Sequence, residues 1–285
     1  MNPTDVVGFT QLVLLGYVMT KRVFTQWGLW RELRETIVLN NSKIEKINMY
    51  KDNFKSLVSK SVETNTFIGD GNPDSQILLI GKEGSNEGED DNTTNSKLWE
   101  TRCKENIKPD FSYFFDGAYS KPGHTWKKYQ KLHGYIFPEQ MPEYRKFNFH
   151  ERVFTTEMNV KPSKNTGKAI KDDGFAERIR TRKFEFLTTD FIQDFRVIIL
   201  ACSDYIINVG EGEEREIDTI FGVSWDKPHI IEQNNKKYRF DTHYDKNKTK
   251  LVIHCRQLSG SIPEKYFQDL GEVVREFIQS PKTES

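Results

Sequence analysis

Cysteine is scarce in this chain of 285 residues, which contains Cys103, Cys202 and Cys255, and no two of them are close in sequence. This spacing excludes a disulfide framework and a four-thiolate zinc or iron–sulfur site. Neither a metal nor an iron–sulfur cluster is therefore expected, and a reducing cytoplasmic location is favoured. Cys202 lies in the apolar run RVIILAC and is predicted to be a small core residue.

An excess of charge of either sign is also missing, because Lys plus Arg and Asp plus Glu both number 42. A balanced net charge gives no indication of a polyanionic partner, although a local basic patch is compatible with it. Hydrophobic residues make up 36% and charged residues 29% of the chain. This composition is typical of a soluble globular protein, and the length suits one large domain or two small ones.

Long hydrophobic runs are absent too. The apolar stretch 6–19 is broken by glycine and polar residues, is short for a membrane span, and lacks the basic segment that precedes a signal sequence. We therefore expect no membrane association. The basic, tryptophan-containing segment after it fits an interfacial, a packing or an appended helix, and the last is preferred. The predicted division is a helical N-terminal extension, residues 1–42, followed by an α/β domain, residues 43–285.

Four short apolar runs are the main positive signal in the sequence. The first and third runs are nearly continuously apolar, the second contains two threonines and a glutamate, and each run ends in or before a glycine or a polar residue. Short apolar runs that end in this way are typical of buried parallel strands. Their positions are residues 77–80, 153–158, 195–202 and 250–254. Helical patterns alternate with them, so the sequence predicts a three-layer α/β/α fold with a four-stranded parallel sheet. A flavodoxin-like sheet of five strands is the competing fold.

Apolar residues at helical spacing predict the helices. They cover residues 44–60, 126–132, 175–187, 213–221 and 262–279. Thr125 is a candidate N-cap, and Ser261 with Glu264 fits a capping box.

The segments between the helices and the four runs are predicted to be one hairpin and two loops. Residues 229–244 alternate in polarity around Asn234 and Asn235, which predicts an antiparallel hairpin at the edge of the sheet. Residues 83–95 are acidic and polar and are predicted to form a loop. Residues 163–171 form a basic loop, which fits either phosphate contacts or a solvated face.

Polar side chains follow three of the predicted strands. The first strand runs into residues 81–84, the second ends at Asn159, and the fourth ends at His254. The carboxyl ends of parallel strands meet at one edge of a sheet, where α/β proteins keep their sites. Each residue alone reads as part of an ordinary turn, but their joint placement favours a site.

A carboxylate, an amide and an imidazole around one cleft suit hydrolysis through an oxocarbenium-like centre. The carboxylate holds water and offsets positive charge on a sugar, while a neutral histidine donates to an anionic leaving group. The amide can read the edge of a base through its paired donor and acceptor.

This pattern resembles the uracil-DNA glycosylase superfamily. Where that family has Gly-Gln-Asp-Pro or Gly-Glu-Ala-Pro-Gly after a strand, this chain has Gly-Lys-Glu-Gly at residues 81–84. Where the family has His-Pro-Ser, a wedge loop and a helix, this chain has His254 followed by Cys-Arg-Gln-Leu-Ser. Asn159 matches a base-reading asparagine of some members. The similarity covers roughly residues 70–279, and this chain lacks the motif proline.

The resemblance implies a glycosylase that hydrolyses the N-glycosidic bond of a damaged or modified base in DNA, with uracil among the candidates. It assigns Glu83 to the attacking water and His254 to the leaving base. The implied base contacts are Gly81, Lys82, Gly84, Asn159 and a stacking ring, Phe114. The implied DNA contacts are Lys161, Lys164, Arg256, Gln257, Ser259 and, as a wedge, Leu258. A monomer without a cofactor is expected.

Two alternatives stay open at this point. One is a nucleic-acid-binding protein that kept the cleft but lost turnover. The other is a small-molecule hydrolase acting on a nucleoside or nucleotide. Salt separates these classes, because affinity for DNA falls steeply as salt rises, whereas a nucleoside hydrolase has no affinity for a duplex.

Overall fold

The computed structural model describes residues 49–84, 91–110, 124–140, 147–208 and 215–280. All of them belong to one compact unit, Met49–Ser285. The predicted extension, residues 1–42, lies outside the described residues. Within the described ranges, no helix is long and apolar enough to cross a membrane.

A mixed sheet of seven strands forms the centre of the described part of the chain. The strands are β1 Asp70–Gly71, β2 Ile77–Glu83, β3 Val153–Asn159, β4 Val197–Leu200, β5 Ser224–Gln233, β6 Lys236–Tyr244 and β7 Leu251–Cys255. Their order in the sheet is β1-β3-β2-β4-β7-β6-β5. The four central strands, β3, β2, β4 and β7, pair in parallel with their neighbours in this set. Strand β1 pairs antiparallel with β3, β6 with β7, and β5 with β6. The α/β class is confirmed. The predicted hairpin adds β6 and β5 at one edge of the sheet, and the strand β1, which was not predicted, extends the other edge.

Eight α-helices lie in the described ranges. They are α1 Asp52–Glu63, α2 Asp91–Glu105, α3 His124–Ile136, α4 Thr166–Ile170, α5 Phe175–Thr181, α6 Asp190–Gln193, α7 Glu216–Phe221 and α8 Glu264–Gln279. A π-helical turn, Arg182–Phe186, continues α5.

Helices cover both faces of the sheet because successive strand residues point to opposite sides. Leu78 of β2 packs into a core with Phe54 of α1, together with residues of α5, α6 and α7. Leu79, the next residue, packs into a second core with Leu132 of α3 and Phe267 of α8. Strands β2 and β4 are buried on both faces, which explains their continuous apolar sequences.

The hairpin is confirmed, with β5 beginning five residues earlier than expected. Asn234 and Asn235 have φ angles of 50° and 59° and connect the paired residues Gln233 and Lys236. Two consecutive left-handed residues give the turn whose twist matches that of the flanking strands, and asparagine tolerates this conformation well.

Both predicted helix caps are wrong. Helix α8 begins after Pro263, which makes no side-chain capping hydrogen bond. Glu264 instead accepts hydrogen bonds from Lys131 and Tyr135 of α3, so its carboxylate joins two helices and does not close a capping box. Helix α3 begins at His124, which places Thr125 inside the first turn.

Both predicted loops contain a helix. Residue 83 still belongs to β2, and α2 begins at Asp91, inside the acidic segment. Helix α2 has few apolar residues, and the polar Asn95 holds it against the segment before β1 by bonding to Ile68 and Gly69. The basic loop contains α4, capped by the Asn165 side chain.

Candidate active site

The carboxyl ends of the four parallel strands lie side by side. Glu83 of β2 is in register with Asn159 of β3, and Leu200 of β4 is in register with His254 of β7. Strand β2 is an interior strand, and only β4 separates it from β7. The short 3-10 turn Ser203–Tyr205 follows β4 and therefore lies between the ends that carry Glu83 and His254.

Two hydroxyl groups fix the Glu83 carboxylate. Tyr205 donates to Oε2 at 2.5 Å, and Thr166 of α4 donates to Oε1 at 3.2 Å. Burial and the bond to Glu83 together raise the pKa of Tyr205, so this phenol remains a donor at neutral pH. Each carboxylate oxygen keeps a lone pair, so Glu83 can still accept a hydrogen bond from water.

Lys82 supports the turn after β4. Its side chain is buried, and Nζ lies 2.9 Å from Oδ1 of Asp204 and 4.6 Å above the ring of Tyr205. The hydrogen bond from Lys82 lowers the pKa of Asp204. Lys82, predicted as a base contact, therefore holds Tyr205 in position against Glu83.

The two glycines of the strand end differ in their surroundings. A Cβ atom at Gly81 would lie 2.4 Å from Oε2 of Glu157 and 2.9 Å from the hydroxyl of Tyr129. A side chain at this position would have to push the ends of these two side chains aside, and glycine avoids that. A Cβ atom at Gly84 would meet nothing within 4 Å among the described residues, so packing does not require glycine there.

Glu157 is a second carboxyl group beneath the site, and the sequence did not single it out. Its Oε2 is buried and has no hydrogen-bond partner in the described part of the chain. Burial first, and then the charge of Glu83, raise its pKa to about 8. Glu157 is therefore protonated at neutral pH.

Replacing Glu157 by glutamine is expected to stabilise the protein increasingly as pH rises. The folded pKa lies above the unfolded value, so the folded state binds the extra proton and loses stability as pH rises from about 4.5 toward 8. Glutamine removes this loss. Urea unfolding should show a gain that grows by about 2 kcal/mol from pH 5 to pH 7. The exposed Glu151→Gln variant serves as control, and an equal pH dependence in both variants would refute the assignment.

Asn159 is held in one orientation. Its side chain is buried, and Oδ1 accepts hydrogen bonds from Nε of Arg178 at 3.1 Å and from the Lys161 amide at 3.3 Å. Both partners only donate, so the assignment of oxygen and nitrogen in this amide is unambiguous. Nδ2 is buried and has no partner among the described groups, so it is a donor that could bond to a ligand.

His254 is bonded through both ring nitrogens. Nε2 lies 2.8 Å from the Ser203 carbonyl oxygen, and Nδ1 lies 3.3 Å from Nδ2 of Asn208. A carbonyl only accepts, so Nε2 carries the hydrogen and Nδ1 accepts. Burial lowers the pKa of His254, which keeps the imidazole neutral at pH 7. In this conformation its N–H is engaged by Ser203.

The predicted DNA contacts fall into two groups. Leu258 is only 1% exposed and packs in the core with α8, so the wedge assignment is wrong. Burial of this apolar side chain stabilises the folded protein, and moving it into water would lose that free energy. Lys161 forms an ion pair with Asp172. Lys161, Lys164 and Arg256 are exposed, and Gln257 and Ser259 are partly exposed. Phe114 lies outside the described residues.

The residues that sequence reasoning missed lie mainly in the segment after β4, which is the third of the four predicted strands. Asp204, Tyr205 and Asn208 lie four to eight residues beyond the end of β4 at Leu200, in the segment that contains the 3-10 turn. The same rule of polar residues after an apolar run would have found them. In the described ranges, no group of three or more His, Cys, Asp or Glu side chains could hold a metal ion.

Comparisons with known proteins add nothing to this geometry. No protein-family model matches the chain, and a search of curated proteins finds no match.

Proposed function

We propose that this chain is a glycosylase-like hydrolase with a fold of the uracil-DNA glycosylase type. It binds nucleic acid at the carboxyl edge of its sheet and hydrolyses the N-glycosidic bond of a damaged or modified base in DNA. The observation that carries the proposal is the register of the site. Glu83 and Asn159 end β2 and β3, and His254 is the last residue but one of β7, so all three lie at the carboxyl ends of the parallel set β3-β2-β4-β7.

Glu83 supplies the charge that such a reaction needs. As the bond from C1′ of the sugar to the base nitrogen breaks, positive charge develops on the sugar, and a fixed carboxylate stabilises it. Glu83 also accepts the proton of the water that bonds to C1′, and the base leaves with the electron pair of the broken bond. The hydroxyls of Tyr205 and Thr166 keep the carboxylate in place throughout.

His254 can donate to the leaving base only after its Nε2–H leaves the Ser203 carbonyl. Ser203 has a φ angle of 50°, a left-handed conformation that is unfavourable for a non-glycine residue. A rotation of the Ser203 backbone on binding would relax this conformation and free the imidazole donor. The proposal therefore requires the Ser203 carbonyl to turn away from His254 when the base enters, while Tyr205 keeps its bond to Glu83.

A second candidate is a binding protein without turnover. It is favoured by the engagement of both nitrogens of His254 and by the burial of Leu258. Without rotation of the Ser203 carbonyl, the leaving base would have no donor from His254.

Asn159 supports recognition of a base that carries a carbonyl oxygen. Because Arg178 and the Lys161 amide occupy Oδ1, the amide offers only Nδ2 to a ligand. A buried donor without a partner costs roughly 1–3 kcal/mol, which a carbonyl acceptor would recover and an amino group would not. Nδ2 of Asn159 is buried in this structure, so a base can reach it only if the groups that cover it move.

The variant Arg178→Met is expected to reduce discrimination between bases. Without the guanidinium, Oδ1 is freed from its main side-chain donor, and the amide can turn to present an acceptor. The ratio of kcat/KM for a keto pyrimidine to that for its amino counterpart should fall roughly tenfold. Using a ratio cancels any general loss of affinity. The exposed Arg180→Met variant controls for charge, and an unchanged ratio in Arg178→Met would contradict this role.

A lesion panel tests the proposed function. Oligonucleotides that carry different modified bases, single-stranded and duplex, are incubated with the protein, and abasic sites and free base are quantified. Release of one base class supports the proposal. Affinity for DNA that falls with salt, without base release, identifies the binding protein, and cleavage of free nucleosides alone identifies a small-molecule hydrolase.

A further inference from the structure

A surface cleft of about 330 Å³ opens next to the strand end that carries His254. It is lined by Lys237, Tyr238 and Arg239 of β6 and by Ser203, Arg256 and Gln257. We call it the basic cleft. The hairpin strand β6 supplies one of its walls, although the uracil-DNA glycosylase resemblance assigned no role to the hairpin.

The three cations of the basic cleft differ in how strongly protein carboxylates hold them. Arg239 is bound by two nitrogens to Asp241, whose side chain is 7% exposed, so this guanidinium is fixed and its charge is offset. Lys237 pairs with Glu232 at 3.1 Å, but both side chains are largely exposed, and such pairs are weak. The Lys237 amine can therefore turn toward a ligand.

Within the basic cleft, Arg256 is the exposed cation that the described part of the chain leaves without a carboxylate partner. Its guanidinium lies 5.5 Å from the centre of the Tyr238 ring, and the described residues place no ion-pairing carboxylate against it. A guanidinium beside an aromatic ring suits a nucleic-acid strand, because the cation meets a phosphate while the ring stacks on a base.

Ser203 connects the basic cleft to the candidate active site. Its carbonyl oxygen accepts the Nε2–H of His254, and its hydroxyl accepts the backbone N–H of Gln257. An anion in the basic cleft would thus lie beside the backbone that holds the imidazole. A nucleotide whose base reached His254 would have its flanking phosphate on this side.

We propose that the basic cleft binds a phosphodiester of the strand that flanks the nucleotide in the active site. Arg256 and Lys237 contact the phosphate, Arg239 shapes the wall, and Tyr238 stacks on the neighbouring base. This inference rests on the proposed function in its choice of nucleic acid as the ligand. It adds the β5–β6 hairpin to the binding surface.

The test measures the affinity of a labelled, lesion-free, single-stranded oligonucleotide by fluorescence anisotropy at several salt concentrations. Each lost phosphate contact should flatten the slope of log affinity against log salt by about 0.7. Arg256→Ala and Lys237→Ala should each do so and lower affinity roughly fivefold at low salt, and the double variant should add the two effects. Lys60→Ala removes an exposed charge on α1 and should change neither value.

The inference is overturned if Arg256→Ala and Lys237→Ala behave like Lys60→Ala. It is also overturned if the oligonucleotide does not bind but inorganic pyrophosphate binds in an Arg256-dependent manner, because the basic cleft then takes a free anion. All these side chains are exposed, and thermal unfolding of each variant verifies that the fold is intact. Base release is measured separately on a lesion-bearing strand, so a wild type that binds through Arg256 but releases no base contradicts only the proposed function.

Discussion

The variant Glu83→Gln is expected to release base at least roughly a hundredfold more slowly than the wild type in single turnover. Glutamine has the shape of glutamate and can keep partners in Tyr205 and Thr166. It lacks the negative charge that stabilises the sugar and the basic oxygen that takes a proton from water. Affinity for a lesion-free strand should stay nearly unchanged, because the phosphate contacts lie elsewhere.

Two further variants make this experiment specific. Glu185→Gln removes an exposed carboxylate of the π-helical turn and should leave the rate unchanged. Tyr205→Phe removes one donor to Glu83 while the carboxylate remains, so its rate should fall less, by roughly tenfold. A full single-turnover rate in Glu83→Gln on a confirmed substrate would show that Glu83 does not act on the water.

The variant Arg182→Met is expected to lower the free energy of unfolding by about 4 kcal/mol. The Arg182 guanidinium is 2% exposed and donates to the carbonyl oxygens of Phe67 and Glu157 at 2.9 Å and to the Thr156 hydroxyl. Burial lowers its pKa to about 9, which still leaves it charged at pH 7. Methionine fills much of the space but removes the donors that Arg182 supplies to two partly buried carbonyl oxygens and to a buried hydroxyl.

Arg180→Met is the matched control, two residues earlier in the same helical segment. Arg180 is exposed and pairs with Glu177 within its own helix, so its loss should cost less than about 1 kcal/mol. Urea unfolding of both variants measures the difference. Equal stabilities of the two variants would show that the buried hydrogen bonds of Arg182 are not what holds β3 to the segment before β1.

Strands β2 and β4 were predictable because a strand that is buried on both faces needs an apolar side chain at nearly every position. Residues 77–80 and 197–200 have apolar side chains at every position for that reason. The short strand β1 was not predictable, because its two residues, Asp70 and Gly71, carry no pattern. Helix α2 was missed since the polar Asn95 and one tryptophan, Trp99, hold it in place.

The placement of the candidate residues at one edge of the sheet was predictable from the sequence, whereas their contacts were not. Sequence order places Glu83, Asn159 and His254 at strand ends, and parallel pairing brings those ends to one edge. The raised pKa of Glu157 depends on which atoms bury it, and no local pattern encodes that. Leu258 was assigned a role that its burial contradicts. A leucine before a helix fits a wedge and a core residue equally well until its exposure is known.

A crystal structure of the protein with a bound oligonucleotide tests the central claim most directly. A 2′-fluoro sugar at the lesion slows cleavage by destabilising positive charge at C1′, so the complex persists. We expect an extrahelical base with a carbonyl oxygen within hydrogen-bond distance of Asn159 Nδ2, C1′ facing Glu83, and His254 released from Ser203. A strand bound at the opposite edge of the sheet, near the turn that joins β6 to β7, would contradict the account.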